Sequence, residues 1–273
     1  MKNRFDKVWK DKLRGKLFCK FIDKYLTNSS ELVVLDAGCR YGAFIFELSK
    51  KFKFVYGIDI SANVLAKLMK ETKSVSNIEI KEESILKTNF KENSFDLVIL
   101  EGVLEWVGLS NSQIPARKSQ EIALKECKRI LKKNGILFVG IENKMFPYHW
   151  FVDPHGYTPF TAILPKKLSI FLYKHLGKGY YGQNIFSFWG YHTLFNRIFK
   201  NCEILVPIPN YKYIYSSSQF NNRKLREKIK KIKNLNFLDL KNKILTNLLY
   251  IGTFFSLSKI LCKDFIIICK KII

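Results

Sequence analysis

Four short apolar runs, interrupted only by Asp96, constrain this chain most, at residues 32–35, 54–58, 95–100 and 136–141. Runs this short without polar alternation read as strands buried on both faces, and such strands occur in parallel sheets covered by helices. Residues 43–51, 62–72 and 117–132 repeat apolar side chains near the helical period and supply those helices. A weaker strand is predicted at 78–81. The third helix runs into Lys132-Lys133-Asn134-Gly135, where basic residues complement the negative helix end and Gly135 is expected to cap it. The expectation is an α/β, mostly parallel sheet with helices on both faces, whose ligands bind beyond the carboxyl ends of the strands.

The flanks follow other patterns. Residues 4–26 read as a helix that Thr27-Asn28-Ser29-Ser30 breaks. Residues 143–190 are rich in aromatic residues, Gly and Pro and show no clean period. Beyond them we expect a helix near 190–200, a strand near 203–208, a basic helix over 221–233, a more apolar helix over 238–262 and a last strand over 265–269. The predicted organisation is an N-terminal helix (1–30) and a core (31–215) with a substrate insertion at 143–190. A basic and apolar helical insertion (216–263) and the core's final strand (264–273) complete it.

Composition bears on partners and compartment. The formal charge of +24 over 273 residues points to an anionic surface, a phosphorylated carrier or nucleic acid, or to lysine enrichment along the whole chain. Six scattered cysteines form no C-x-x-C pair and no metal-ligand spacing, so free thiols, a reducing compartment and no metal are expected. The start, Met1-Lys2-Asn3-Arg4-Phe5-Asp6, contains no apolar secretory core. The predicted location is cytoplasmic, extending to a peripheral position on the inner membrane face.

The chemistry concentrates after the first strand, where Asp36 precedes Gly38 and Gly42 and a helix follows. A tight strand-to-helix turn needs glycine where a ligand approaches the backbone. Asp59, ending the second strand, can accept from both hydroxyls of a ribose. A dinucleotide site would use the same acid, but it would not place Asp36 at the mouth of the loop. A carboxylate there suits a ligand's ammonium group and opposes a pyrophosphate at the helix N-terminus.

These residues resemble those of the class I S-adenosylmethionine-dependent methyltransferases. Val34-Leu35-Asp36-Ala37-Gly38-Cys39-Arg40-Tyr41-Gly42 matches their first motif except that Arg40 stands at its middle glycine. The run 95–107 looks like their fourth-strand motif, with Trp106 where His is frequent, and 124–137 looks like the helix, turn and strand that follow. The resemblance implies a Rossmann-like seven-stranded sheet and S-adenosyl-L-methionine as cofactor. It places Asp36, Gly38 and Gly42 at the methionine end, Asp59 at the ribose and Ile60 beside the adenine. Ser84 and Ile85 fall where an acidic and an apolar residue usually meet the adenine, and Glu101 and Gly102 would face the sulfonium. Arg40 either pairs with the methionine carboxylate or points into solvent.

An oxygen acceptor also needs a base. His149, Asp153 and His155 lie in an aromatic stretch after the fifth strand and are the candidates, although each His could equally cap a turn. The region 141–165 resembles a subset of the family from cell-envelope polysaccharide loci. The expected reaction is methylation of a small-molecule or sugar-linked (glycan) hydroxyl. Alternatives are an RNA methyltransferase, a lipid or quinone methyltransferase at a membrane surface, and a non-catalytic cofactor-binding protein. Nucleic acid is the weaker partner, since Glu101-Gly102-Val103-Leu104 stands where an Asn-Pro-Pro-Tyr motif would be. The segment 223–257 carries a basic helix and a polar-punctuated apolar one, suited to lying on an anionic membrane or to packing on the core.

Overall fold

A computed structural model describes residues 11–109, 113–151, 158, 160–161, 164–177, 183–233 and 240–272. The chain enters with helix α1 (Lys12–Ile22), capped by the Asp11 carboxylate, which accepts from the Leu13 N–H. Strand and helix then alternate: β1 (Val33–Ala37), α2 (Ile45–Ser49), β2 (Phe54–Asp59), α3 (Ala62–Thr72), β3 (Ile78–Glu82), β4 (Phe95–Glu101), α4 (Ala116–Ile130) and β5 (Leu131–Glu142). All five strands pair in parallel. The strand expected at 136–141 begins five residues earlier, directly from α4, and Asn134, not Gly135, takes the left-handed backbone, inside β5 where its register with β4 shifts.

The second half adds α5 (Tyr148–Phe151), α6 (Lys166–His175), α7 (Phe188–Phe199), β6 (Cys202–Asn210), β7 (Tyr213–Ser218), α8 (Asn222–Lys233), α9 (Leu240–Gly252), α10 (Ser258–Leu261) and β8 (Asp264–Lys270). The sheet order is β3-β2-β1-β4-β5-β8-β6-β7, with β8 antiparallel between β5 and β6. The sheet is therefore Rossmann-like and mostly parallel, as expected, but has eight strands among the described residues. The unexpected strand is β7, a hairpin partner of β6. The apolar helix expected over 238–262 is broken after Gly252 by a turn in which Ser256 is left-handed.

Alternate residues of each strand face opposite cores. Leu35, Val98, Leu137 and Val139 pack with α4, α7 and α8 in one core. Val34, Leu97, Ile99 and Phe138 pack with α1, α2 and α3 in the other. Each such aliphatic side chain contributes about 1.5–3 kcal/mol on burial, so both faces specify the register. The sheet register also corrects the cysteine expectation. Cys202 and Cys269 stand opposite one another on β6 and β8, 4.2 Å apart at Cα, and are joined in a disulfide. Their separation of 67 residues hides the pair from any spacing rule. Cys19, Cys39, Cys127 and Cys262 are free.

Candidate cofactor site

The turn after β1 is built for close approach. Gly38 and Gly42 have φ of +83° and +78°, and a Cβ on Gly38 would lie 2.3 Å from a Val103 methyl carbon. Arg40, where related turns carry glycine, is also left-handed at φ +46°. Such a backbone costs an ordinary residue roughly 1–2 kcal/mol, which explains the usual glycine. Two hydrogen bonds anchor the turn to β2: the N–H groups of Gly38 and Cys39 donate to the Ile58 carbonyl at 2.7 and 3.0 Å. The Asp59 carboxylate is oriented from both sides, accepting from the Arg40 N–H at 3.2 Å and the Ser61 N–H at 3.0 Å.

These elements enclose a cavity of about 410 Å³ at the carboxyl ends of β1, β2 and β4. Seven of the ten residues expected at the cofactor stand on its wall: Gly38, Arg40, Asp59, Ile60, Ser84, Ile85 and Gly102. Arg40 is exposed there. Ser84 spends its hydroxyl oxygen on the Leu86 N–H at 3.2 Å. The acid absent from position 84 stands one residue earlier. Glu83 lines the cavity, accepts from the Asn89 N–H with Oε1 at 2.6 Å, and keeps Oε2 buried with no partner among the described residues. Glu83, beside Ser84 in the chain, was not among the residues expected at the cofactor. Trp106, at the usual His position, is on the wall with Val103 and Val107.

The other three residues stand off the wall. Gly42 faces Leu68 of α3. Asp36 and Glu101 are buried on the central strands β1 and β4. Burial pushes the Asp36 carboxyl up to about 8, with Glu101 adding to the rise and Arg14 opposing it. Burial also raises the Glu101 carboxyl, against the attraction of Arg14 and Lys212. Arg14, from α1, forms a buried ion pair with Glu101 through Oε2, while Oε1 stays buried without a hydrogen-bond partner among the described residues. No sequence signal marked Arg14, because it lies 87 residues from its partner.

Of the base candidates, Asp153 and His155 lie outside the described residues. His149 is buried on α5, off the cavity wall, with Nδ1 2.9 Å from the Asn143 carbonyl oxygen. Asn143 ties the region together: its side-chain amide donates to the carbonyls of Lys259 and Cys262 at 3.0 and 2.8 Å, and its Oδ1 accepts from the Met145 N–H. Gln120 of α4 likewise donates to the carbonyls of Leu104 and Asn184, pinning the segment before α7 to the loop after β4. Among the described residues no group of three or more His, Cys, Asp or Glu is placed to hold a metal ion.

The site fits an adenosyl sulfonium. Asp59 presents an oriented carboxylate for vicinal hydroxyls, Glu83 an unused acceptor for an amino group, and Ile60, Ile85 and Val107 apolar flanks for a planar ring. Comparison with known proteins agrees with that geometry. Residues 35–139 match the family model described as a methyltransferase domain. An uncharacterized protein of Methanocaldococcus jannaschii is 39% identical over 122 residues, 44% of this chain and 45% of that one. The demethylmenaquinone methyltransferase of Staphylococcus aureus is 29% identical over 125 residues, 45% of this chain and 48% of that enzyme. The matches thus span less than half the length of these relatives. A SAM-dependent methyltransferase from Thermotoga maritima shares the fold at a TM-score of 0.53 and 15% identity, covering 98% of this chain and 94% of that one. Residues 35–139 thus match a methyltransferase domain, and the chain as a whole shares the fold of a SAM-dependent methyltransferase.

Proposed function

We propose that this protein transfers a methyl group from S-adenosylmethionine to a hydroxyl of a small-molecule or sugar-linked acceptor. The observation that carries the reading is the cavity wall of Gly38, Asp59, Glu83 and Gly102 within a methyltransferase domain. When bound, the cofactor supplies an electrophilic methyl group. Asp59 would hold the ribose and Glu83 the adenine amino group, while Asp36, buried off the cavity wall beside Glu101, would attract the ammonium end. Catalysis here is alignment and exclusion of water, with a base to take the acceptor's proton.

The insertion after β5 supports an oxygen acceptor. A hydrogen bond to the Asn143 carbonyl requires hydrogen on His149 Nδ1, which leaves Nε2 as the basic nitrogen. We assign the base to His149 or His155, with Asp153 orienting it. Tyr148, Phe151 and Phe160 are exposed around this helix and suit stacking on a sugar face. A second reading, a quinone or lipid acceptor, is favoured by the same exposed rings and by the likeness to a demethylmenaquinone methyltransferase.

Transfer of labelled methyl from S-adenosylmethionine into fractionated cell extract tests the reading, with Asp59→Asn as control. Label in the glycan or small-molecule fraction, lost in the control, is the expected result. Label in the lipid fraction alone selects the second reading, and label in RNA overturns both. His149→Gln and His155→Gln then identify the base: the right variant abolishes the acidic limb of the pH–rate profile without changing cofactor affinity.

A further inference from the structure

Helix α9 has inverted polarity. Its inward face carries Thr246 and Leu249, with Thr253 just past its end, all buried. Both threonine hydroxyls are satisfied within the helix, donating to the carbonyls of Asn242 at 2.6 Å and Tyr250 at 2.7 Å. Its outward stripe is apolar: Leu240, Ile244, Leu248 and Ile251 recur at helical spacing and continue into Phe254 and Phe255 beyond the helix end. Leu240 is 75% exposed and Phe255 69%. A contiguous apolar stripe in water is a binding surface or a liability, and single exposed leucines do not make one.

Basic residues flank the stripe. Residues 222–263 contain nine Lys and two Arg against two acids, Glu227 and Asp239. Helix α8 packs against α9 and exposes Arg223, Lys224, Lys230 and Lys231. Arg226 donates to the Thr253 carbonyl and stacks 4.7 Å from the Phe254 ring. Lys259, just past the turn, lies 4.3 Å from the Phe188 ring and 6.0 Å from that of the exposed Trp189.

We infer that the outward stripe of α9, with the basic edge of α8, docks this protein on an anionic lipid bilayer. Lysines beside an apolar stripe match a surface of acidic headgroups over acyl chains. A second copy of this chain fits less well, since pairing would bring two basic edges together on molecules that each carry +24. No helix among the described residues is long and apolar enough to cross a membrane, so α9 would lie on the surface. The Asn210–Asn242 hydrogen bond hangs the start of α9 from the carboxyl end of β6, and Asn143 hangs the segment after it from the end of β5. Both anchors lie at the edge of the sheet where the parallel strands end, the edge that also carries the cavity. The inference rests on the surface alone and is independent of the acceptor.

Co-sedimentation with vesicles of phosphatidylcholine, with or without roughly a third of phosphatidylglycerol, tests it. The expected result is partitioning at least about tenfold stronger on the anionic vesicles, weakened by about 0.5 M NaCl. The triple variant Ile244→Ser/Leu248→Ser/Ile251→Ser, and separately Phe255→Ser, should lower that partitioning while leaving the melting midpoint and calorimetric binding of S-adenosylmethionine unchanged. The single variant keeps the test decisive if the triple variant fails to fold. Absence of anionic-vesicle binding by the wild type overturns the inference. So does binding that folded variants retain in full, or a dimer that these variants dissociate. Because cofactor binding is measured on the same samples, failure of the surface and failure of the methyltransferase reading are distinguishable.

Discussion

Asp36 concentrates the electrostatic tension of the site in one carboxyl. Its folded value near 8 lies above its ordinary value of 3.8, so the folded state holds the proton longer than the unfolded chain. By linkage its contribution to stability is present at low pH and is lost as pH rises from about 4 through about 8. Asp36→Asn should therefore raise the melting temperature of the cofactor-free protein near pH 9, with the gain shrinking toward pH 5. The same change should weaken S-adenosylmethionine by about 2 kcal/mol, roughly thirtyfold, read by calorimetry at pH 8. A variant that gains no stability at high pH would show that Asp36 is not held neutral by burial.

At the scale of elements, α1 is joined to the sheet by a charge as well as by its apolar face. Arg14→Met leaves Glu101 buried without its ion-pair partner and should cost about 3–5 kcal/mol in urea unfolding. Adding Glu101→Gln should recover much of that loss, because the penalty belongs to the stranded charge. The elements themselves were largely legible. Strands β1, β2, β4 and β5 each carry a short apolar run, and α3 and α4 keep a clear helical period. The missed strand, β7, reads Tyr-Ile-Tyr-Ser-Ser-Ser, and half serine gives no buried-strand signal; it exists because β6 offers it a hairpin edge. The site was legible where its residues follow one another, at Gly38 and Asp59. It was not where partners meet across the sheet, as with Arg14 and Glu101 or Cys202 and Cys269. Glu83 stands next to the expected Ser84, but only the backbone shows that its carboxylate also reaches the cavity.

For the whole molecule, charge is the dominant long-range quantity. A chain at +24 repels itself when compact, and mobile ions relieve that repulsion. Raising NaCl from about 0.02 to about 0.3 M should lift the melting temperature by roughly 2–4 °C, seen by differential scanning calorimetry. A fall would mean that the surface ion pairs, such as Lys132–Asp96 at 2.7 Å, outweigh the net repulsion. The fold also couples parts that the chain keeps far apart. Asn143 closes the start of one insertion and the end of another 116 residues later with a single side chain. Because its acceptors at 259–262 are main-chain carbonyls, which any residue supplies, the coupling rests on the amide alone: a segment grafted at 143–190 should seat on the rest of the protein if it brings an asparagine to position 143, and should come loose at both places if it does not.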